Sequence, residues 1–414
     1  MAETVPSAEA STEAKNALAV PAFRSFWING VTFFMVTNAL RFVYGWVVLD
    51  GLDRGEAAQG FVVFVLGLPA IFVMLPAGVW ADRTDPKQLL LGSQVALIAV
   101  MVATAVAIGD GAGSMPLLVG SALVAGVVSA LGGPVRQSLI PALLKPAQLF
   151  NGIALNALAM TLSMVLGAVL ARQFGEWFGF DGAFWWMAGL LGFGIVALVA
   201  MPSPGAAAKG DATTMRMAIG EGMRFVWDHT AIRTLFWLLG VAGFAISPVM
   251  FVTIQAHVKS ELGRSSADVA PVLALMGLGI AITSVFIMRQ GDMPRKGQRF
   301  MWAMMCGTAN ITLMGFTTAY WQILTLGFTM GLCGGFFINM NQGLIQSQTP
   351  QDVMGRVMGL YALVQLGFTP FGAALVGVIA EAIGTGPAIT VAGATGLICV
   401  SATYVRATAL RGMV

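Results

Sequence analysis

Arg41 is the side chain whose position demands a chemical explanation, because it lies inside the apolar segment from Phe26 to Leu49. A guanidinium at the centre of a bilayer costs about 2.5 to 3.5 kcal/mol on insertion scales, so it must face water or a partner. Asn38, Arg41 and Gly45 fall on one face of a helix. A cation on that face favours an anionic or hydrogen-bonding ligand. The alternative is a structural role, in which Arg41 bonds backbone carbonyls or Asp50.

Other polar residues recur at helical spacing in apolar segments. Tyr361, Gln365 and Thr369 are four residues apart, and Asn339 begins a similar series. Such residues either hydrogen-bond neighbouring helices or line water, and both interpretations remain open. Methionine adapts to irregular apolar ligands, although core packing explains it equally well. The residues predicted to contact a ligand or line water are called pathway residues below. They are Asn38, Arg41, Asn156, Met250, Asn339, Tyr361 and Gln365.

Titratable and metal-binding chemistry is sparse. No acidic residue lies well inside an apolar segment, so Asp50 and His257, at segment ends, are the candidates for proton coupling. The three cysteines have no CxxC or Cys/His spacing, so the sequence predicts no metal site. It also shows no nucleophile elbow, phosphate loop or cofactor fingerprint, so we expect neither an enzyme nor a bound cofactor.

The elements that position these residues must lie in lipid. The chain is 57% hydrophobic and 10% charged, with a mean hydropathy of +0.82, which excludes a soluble globular protein. Its basic residues stand in short loops, so no nucleic-acid partner is expected. Continuous apolar runs of about 20 residues predict membrane-spanning helices. They are Phe26–Leu49, Ala57–Trp80, Gln88–Ile108, Met115–Pro134, Gly152–Leu170, Ala183–Met201, Thr234–Ile254, Val269–Ile287, Phe300–Thr317, Trp321–Met340, Val357–Ile379 and Pro387–Val405.

The distribution of positive charge predicts the orientation. With the N-terminus inside, about 17 of the 22 Lys and Arg residues are cytoplasmic, which places both termini in the cytoplasm. The predicted parts are a disordered cytoplasmic tail (1–21), a six-helix half (22–201), a linker with an amphipathic helix (202–233), a second six-helix half (234–407) and a cytoplasmic tail (408–414). Met215, Ile219, Met223 and Trp227 indicate that the linker helix lies on the membrane face, with a solvated linker as the alternative.

An internal repeat supports this division. The stretch beginning at Gln137 aligns without a gap on the stretch beginning at Gln342, a shift of 205 residues. Gly167 and Ala168 match Gly372 and Ala373. We therefore expect two similar halves.

The loop after the second segment reads GVWADRTDPK, from Gly78 to Lys87. Gly78 permits close helix packing, and Asp82 offers a carboxylate to the positive N-terminus of a facing helix. This loop resembles the signature of the major facilitator superfamily. The resemblance implies a latch in which Asp82 faces the start of the eleventh segment near Arg356, or else a local cap. The predicted gating residues are Gly78, Asp82, Arg83 and Arg356.

Further segments resemble one branch of that superfamily, which contains the bacterial enterobactin exporter and macrolide efflux proteins. They include FRSFW, GPVRQSLIPALL and EGMRFVWDHTAIRTLF. Two departures are visible: Gly167-Ala168 replaces the Gly-Pro common in exporters, and Arg136 stands at the cytoplasmic end of the fourth segment instead of within it.

The resemblance implies an all-α membrane protein with about twelve transmembrane helices in two six-helix bundles. Its first, fourth, seventh and tenth segments would line a cavity. We expect a monomer in the bacterial inner membrane that exports small organic molecules (drug, macrolide or siderophore-like) by alternating access, with proton coupling open. The alternatives are a non-transporting sensor or assembly protein on the same fold and an importer of a small solute.

Overall fold

A computed structural model describes residues 16–73, 84–202, 215–290 and 295–407. These residues form helices and their connections, with no strand among them. The first half contains α1 (Pro21–Gly51), α2 (Glu56–Val73), α3 (Pro86–Gly109), α4 (Met115–Leu143), α5 (Pro146–Phe178) and α6 (Phe180–Val199). The linker contains α7 (Met215–Asp228), and the second half contains α8 (Thr230–Ser260), α9 (Val269–Gln290), α10 (Lys296–Met314), α11 (Tyr320–Gln348), α12 (Gln351–Ile383) and α13 (Thr385–Arg406).

The prediction of about twelve spans in two six-helix bundles is confirmed. Within the described ranges, eleven helices are long and apolar enough to cross a membrane. The twelfth expected span is α10, which has 19 residues and carries Lys296, Gln298 and Arg299 in its first turn. That polar first turn lowers its average hydropathy. Several helices run beyond the predicted apolar runs, because polar residues continue the helix once hydrogen-bonded packing partners are present.

The same shift of 205 residues relates the observed helices. It superimposes α4 on α11 and α5 on α12 residue for residue at both ends. It also relates Gly179 and Gly384, which follow α5 and α12 with φ of 87° and 90°. Glycine adopts this region of φ without the steric cost of a Cβ. The repeat therefore extends from sequence to the turns that end the helices.

The matching glycines of the repeat make matching contacts. A Cβ on Gly167 of α5 would lie 2.7 Å from the carbonyl oxygen of Met35 in α1. A Cβ on Gly372 of α12 would likewise collide with the carbonyl oxygen of Phe244 in α8. Glycine permits each pair of helix backbones to approach closely. Each half therefore packs its fifth spanning helix on its first in the same way.

Two helix pairs join the halves. α2 packs along α12, where a Cβ on Gly60 would lie 3.1 Å from Cα of Gly377. α5 packs along α9, where Gly277 faces Val165. Of the apolar spans, α1 and α8 are the most deeply buried inside the molecule.

The linker helix α7 packs on the start of α12. A Cβ on Gly222 would lie 3.2 Å from Cβ of Arg356, and Val226 is 5% exposed. Met223 and Trp227 remain 48% and 66% exposed. The helix therefore has one face on the protein and an apolar edge free for the bilayer surface.

Candidate transport pathway

One stripe of α1 is half-exposed while most of the helix is buried. The stripe contains Val31, Phe34, Asn38 and Arg41, at steps of three or four residues. The other faces of α1 pack on α2, α4, α5 and α6 of the same half. The stripe therefore faces the space between the two halves, as the sequence predicts for Asn38 and Arg41.

The Arg41 guanidinium contacts α8 through an aromatic ring. Its carbon lies 5.2 Å from the ring centroid of Phe251, a cation–π arrangement. Among the described residues no carboxylate lies within 4.0 Å of it. Asp50 is nine residues further along the helix, a rise of about 13.5 Å at 1.5 Å per residue. The structural alternative of an Arg41–Asp50 pair is therefore not formed.

Beyond Arg41 the two halves close on each other. We call this side distal and the side where α1 begins proximal. Gln255 of α8 donates from Nε2 to the carbonyl oxygen of Phe42 at 3.1 Å, and Gln59 of α2 donates to Gln255 Oε1 at 2.8 Å. Gly45 leaves the room for this amide pair, since a Cβ there would lie 2.8 Å from Gln59 Nε2. Both glutamines are almost fully buried.

A second layer lies one turn further out. Lys259 Nζ donates to the carbonyl oxygen of Leu49 and pairs with Asp53 at 3.0 Å and Asp50 at 3.6 Å. Asp50 Oδ2 also accepts hydrogen bonds from Ser265 Oγ at 2.9 Å and the Ser266 amide at 3.0 Å. Asp50 therefore bridges the halves.

The rim of the distal side carries a third set of contacts. Arg172 of α5 pairs with Asp268 at 2.6 Å, and Arg264 pairs with the same carboxylate at 2.7 Å. The hydrogen bond that Arg264 donates to the Asp268 carboxylate raises the pKa of Arg264. Glu381 Oε2 accepts from the Ala57 amide at 3.0 Å. We call these three layers together the distal closure.

The hydrogen bonds and ion pairs identified between residues 16–202 and residues 230–407 lie on the distal side. Residues 74–83, 203–214 and 291–294 lie outside the described ranges, and Thr84, Asp85 and Lys296 beside them have further contacts. Arg356, a predicted gating residue, pairs with Glu221 of the linker helix. The other three predicted gating residues, Gly78, Asp82 and Arg83, lie outside the described residues.

The structure shows a second buried charge. Arg136 follows the apolar span Met115–Gly133, as the sequence predicts, but the helix α4 continues to Leu143 and Arg136 is 2% exposed. Its guanidinium lies 4.7 to 5.6 Å from the ring centroids of Phe26, Phe33 and Phe34. Arg41 is therefore not the only cation deep in the apolar part of the molecule.

An amide network supports Arg136. Its Nη2 donates to Asn29 Oδ1 and, at 3.3 Å, to the carbonyl oxygen of Asn29. Asn29 in turn exchanges hydrogen bonds with Gln94 at 2.8 and 3.0 Å and donates to the carbonyl oxygen of Gly194 at 2.8 Å. The network links α1, α3, α4 and α6 within one half. The sequence signal was weak, because Asn29 and Gln94 are two of several polar residues in their apolar segments and Arg136 follows the fourth segment.

His257 lies inside the second half. Its ring nitrogens are 2.9 Å from Thr317 Oγ1 and 3.1 Å from Thr385 Oγ1, and the residue is 1% exposed. Both nitrogens thus have hydroxyl partners that belong to neighbouring helices. Asp50 and His257, the two coupling candidates, are not brought together.

The remaining predicted pathway residues differ in how deeply they are buried. Met250 and Tyr361 are each 5% exposed, and Tyr361 packs in the apolar core of the second half. Asn156 and Gln365 are half-exposed, while Asn339 is exposed and donates to Ser284 Oγ at 2.9 Å. The structure therefore brings Asn38 and Arg41 to one face but does not gather all seven residues.

Sequence reasoning missed the polar contacts between α1, α2 and α8. Phe251, Gln255 and Lys259 are four residues apart on α8 and meet α1 at Arg41, Phe42 and Leu49 in turn. The four-residue spacing on α8 was visible in the sequence. Nothing in the sequence pointed to Gln59 as the partner of Gln255, because a single amide in an apolar segment has no pattern of its own.

Known proteins that resemble this chain agree with this geometry. A family model described as Major Facilitator Superfamily matches residues 26–372 and 235–410. The multidrug efflux pump Tap of Mycobacterium tuberculosis is 25% identical over 386 residues, covering 89% of each chain. The multidrug resistance protein MdtG of Dickeya zeae is 32% identical over 167 residues, 39% of this chain and 40% of that one.

Solved structures show the same fold. A POT family transporter in complex with a thioalcohol-conjugated peptide superimposes with a TM-score of 0.73 at 12% identity, covering 97% of this chain and 99% of that one. The nucleoside transporter NupG gives 0.73 at 11% identity, covering 94% and 99%. At these identities the likeness concerns the fold alone. The family match, the two related halves and the eleven apolar spans agree, and this chain belongs to the major facilitator superfamily of membrane transporters.

Proposed function

We propose that this chain exports small organic molecules, of the drug, macrolide or siderophore-like kind, by alternating access. The observation that carries the proposal is the asymmetry between the two sides. Three layers of polar contacts close the distal side, and a half-exposed polar stripe with Arg41 lies directly beneath them. A site that is closed on one side and must open there to release its ligand is what alternating access requires.

The proposed direction of transport follows from the expected orientation of the chain in the membrane. The positive-inside distribution places the proximal side in the cytoplasm, so the structure corresponds to a state closed toward the outside. The resemblance to an exporter branch and the relatives named as multidrug pumps support export over import. We propose a monomer in the bacterial inner membrane with both termini cytoplasmic.

We place proton coupling at Asp50. Its carboxylate bridges the two halves, so protonation would remove the charge that holds Lys259 and weaken the closure. His257 is the poorer candidate, because both ring nitrogens bond hydroxyls within one half. Asp50→Asn should flatten the dependence of transport on the pH gradient. An unchanged dependence would remove Asp50 from the proposal.

The decisive experiment tests whether opening of the distal side is required for transport. Asp53→Cys and Lys259→Cys, combined in a chain whose Cys306, Cys333 and Cys399 are replaced by serine, place two thiols across the closure. Treatment with a short bifunctional thiosulfonate should abolish efflux-type uptake of ethidium, a macrolide or a catechol siderophore into inside-out vesicles. Reduction should restore it.

The two single-cysteine variants, treated identically, are the matched controls and should retain transport. Transport that survives the cross-link would exclude opening at this side. If no compound moves under any gradient in the untreated protein, the alternative of a non-transporting sensor or assembly protein replaces the proposal. Movement only from the distal to the proximal side would identify an importer.

A further inference from the structure

We infer that Arg41 is an anion-binding subsite, so that the transported molecules carry a carboxylate, catecholate or similar anionic group. The inference rests on the proposed function and names the class of substrate within it. It starts from the charge balance of the membrane-spanning part of the chain.

Acidic residues are missing where they would neutralise Arg41. In the eleven apolar spans, Asp and Glu occur only within three residues of a span end, at Asp50, Glu56, Glu176, Asp181, Asp268 and Glu381. On α1 this residue is Asp50, whose carboxylate accepts hydrogen bonds from Ser265 and Ser266 and pairs with Lys259. No acidic side chain of the described chain is therefore free to pair with Arg41 in this state.

The contact that Arg41 does make leaves its hydrogen-bonding edge unused. Phe251 lies over the guanidinium at 5.2 Å, and a cation–π contact uses the face of the group. The five N–H donors of an arginine point outward in the plane of the guanidinium. In Arg41 they are available to a planar, two-oxygen acceptor, the geometry that arginine recognises best.

The position of Arg41 fits a ligand that must be sealed from the distal side. Gly45, one turn beyond it, is covered by the Gln59–Gln255 amide pair. Asn38, one turn before it, stays half-exposed on the same stripe. A bound anion would therefore be capped above and reached from the proximal side.

Arg136 shows why burial alone does not make such a subsite. Its guanidinium donates to Asn29, lies near three aromatic rings and is 2% exposed. A ligand has no route to it in this structure. Two of its guanidinium nitrogens, Nε and Nη1, lack hydrogen-bond partners, but they are buried, whereas Arg41 lies on the partly exposed stripe of α1.

The test uses three fluorescent probes of related size: dansylglycine, which has one carboxylate, its uncharged methyl ester and the cationic dansylcadaverine. Binding to the purified protein is measured by fluorescence polarisation, and transport by uptake into inside-out vesicles. We expect the carboxylate to bind about tenfold or more tightly than the ester. In Arg41→Gln this preference should fall to within about twofold, while the ester is still moved.

Asn38→Asp is the second variant, and it keeps the arginine. An aspartate three residues before Arg41 on the same face would pair with it and remove the preference for anions. Arg54→Gln, which neutralises an exposed cation on the distal surface, is the matched control and should leave the preference intact. If Arg41→Gln does not fold, Asn38→Asp carries the test alone.

The outcomes separate the two proposals. Equal binding of carboxylate and ester by the unaltered chain, or an unchanged preference in both variants, would overturn the anion subsite even if the dyes are transported. Loss of preference with transport of the ester retained supports it. Preferential binding without movement of any probe would support the subsite and count against the proposed function.

Discussion

Arg41 and Arg136 lie in the same half of the molecule, and neither has a carboxylate partner within the described chain, yet their surroundings differ completely. Arg136 is buried, with an asparagine acceptor and three aromatic rings around it. Arg41 is partly exposed, with one ring on its face and no hydrogen-bond partner among the described residues. The first is enclosed by the protein, whereas the second lies on the stripe that faces the space between the halves.

The difference teaches how one fold can accommodate a cation in lipid in two ways. A fully surrounded charge depends on the contacts that the protein gives it: Arg136 has hydrogen bonds at Nη2 and three aromatic rings, while its buried Nε and Nη1 have no hydrogen-bond partner. A charge at the surface of a helix that faces the space between the halves depends less on such contacts and can bind a ligand. The two arginines should therefore respond in opposite ways to substitution: Arg136 through stability and Arg41 through substrate preference.

The largest expected effect comes from removing the acceptor of Arg136. Asn29→Leu removes the Oδ1 acceptor of the guanidinium, leaves its bond to the backbone carbonyl, and should lower the free energy of unfolding by about 3 kcal/mol. The double variant Asn29→Leu with Arg136→Met should recover part of the loss, since the buried charge is gone. Denaturation in mixed micelles with SDS measures both. A double variant no more stable than Asn29→Leu would contradict this view of Arg136.

The second prediction makes the same substitution, arginine to lysine, at Arg136 and at Arg41. Arg136→Lys should cost about 2 kcal/mol, because an ammonium cannot lie against three rings and reach Asn29 with the same geometry. Arg41→Lys should change the free energy of unfolding by less than about 0.5 kcal/mol, as expected for a half-exposed side chain. Equal losses at the two sites would show that both cations are structural.

A third change acts on the closure above Arg41. Gly45→Ala places a methyl group against the Gln59–Gln255 pair and should bias the molecule toward a distal-open state by about 1 to 3 kcal/mol. Pulsed electron resonance between spin labels at Arg54 and Glu261 should report a longer distance. Gly120→Ala, where a Cβ meets no atom within 4 Å, is the control. An unaltered distance distribution would mean that the amide pair does not resist opening.

The smallest effect concerns Arg356, which has the carboxylate partner that the other two arginines lack. Because its pair with Glu221 is partly exposed, Glu221→Gln should loosen α7 from α12 by no more than about 1 kcal/mol. Faster amide hydrogen exchange in Met215–Asp228 would measure this. Asp228→Asn, which alters only the exposed pair with Arg224, should have a smaller effect. Exchange that is slower in Glu221→Gln would contradict the docking role.

Much of the fold could be predicted from the residues, because lipid permits few solutions. Continuous apolar runs specify helices, the count of runs specifies the number of spans, and the repeat from Gln137 and Gln342 specifies two related halves. The ends of helices were predicted less well than the spans. Arg136 was placed at the end of a span because the apolar run stops near Pro134; the span does end at Gly133, but the helix α4 continues for another two turns.

The candidate site was predictable only in part. Arg41 was identified because an isolated charge in an apolar segment stands out against its neighbours. Gln59, Gln255 and Ser265 were missed, since each is an ordinary polar residue until another helix approaches it. His257 was assigned near a pathway from its position along α8. Its partners are far away in sequence, because Thr317 follows α10 and Thr385 begins α13.

The sequence by itself determined the environment of this protein, its helices, its repeat and its family, because these follow from hydropathy and from local patterns along one chain. Only the tertiary structure decided which polar groups compensate one another. Asp50 pairs across the halves instead of along its own helix, and Arg136 finds an amide on α1. Hydrogen bonds and charges act over a few ångströms, so their partners are known only when the helices are packed.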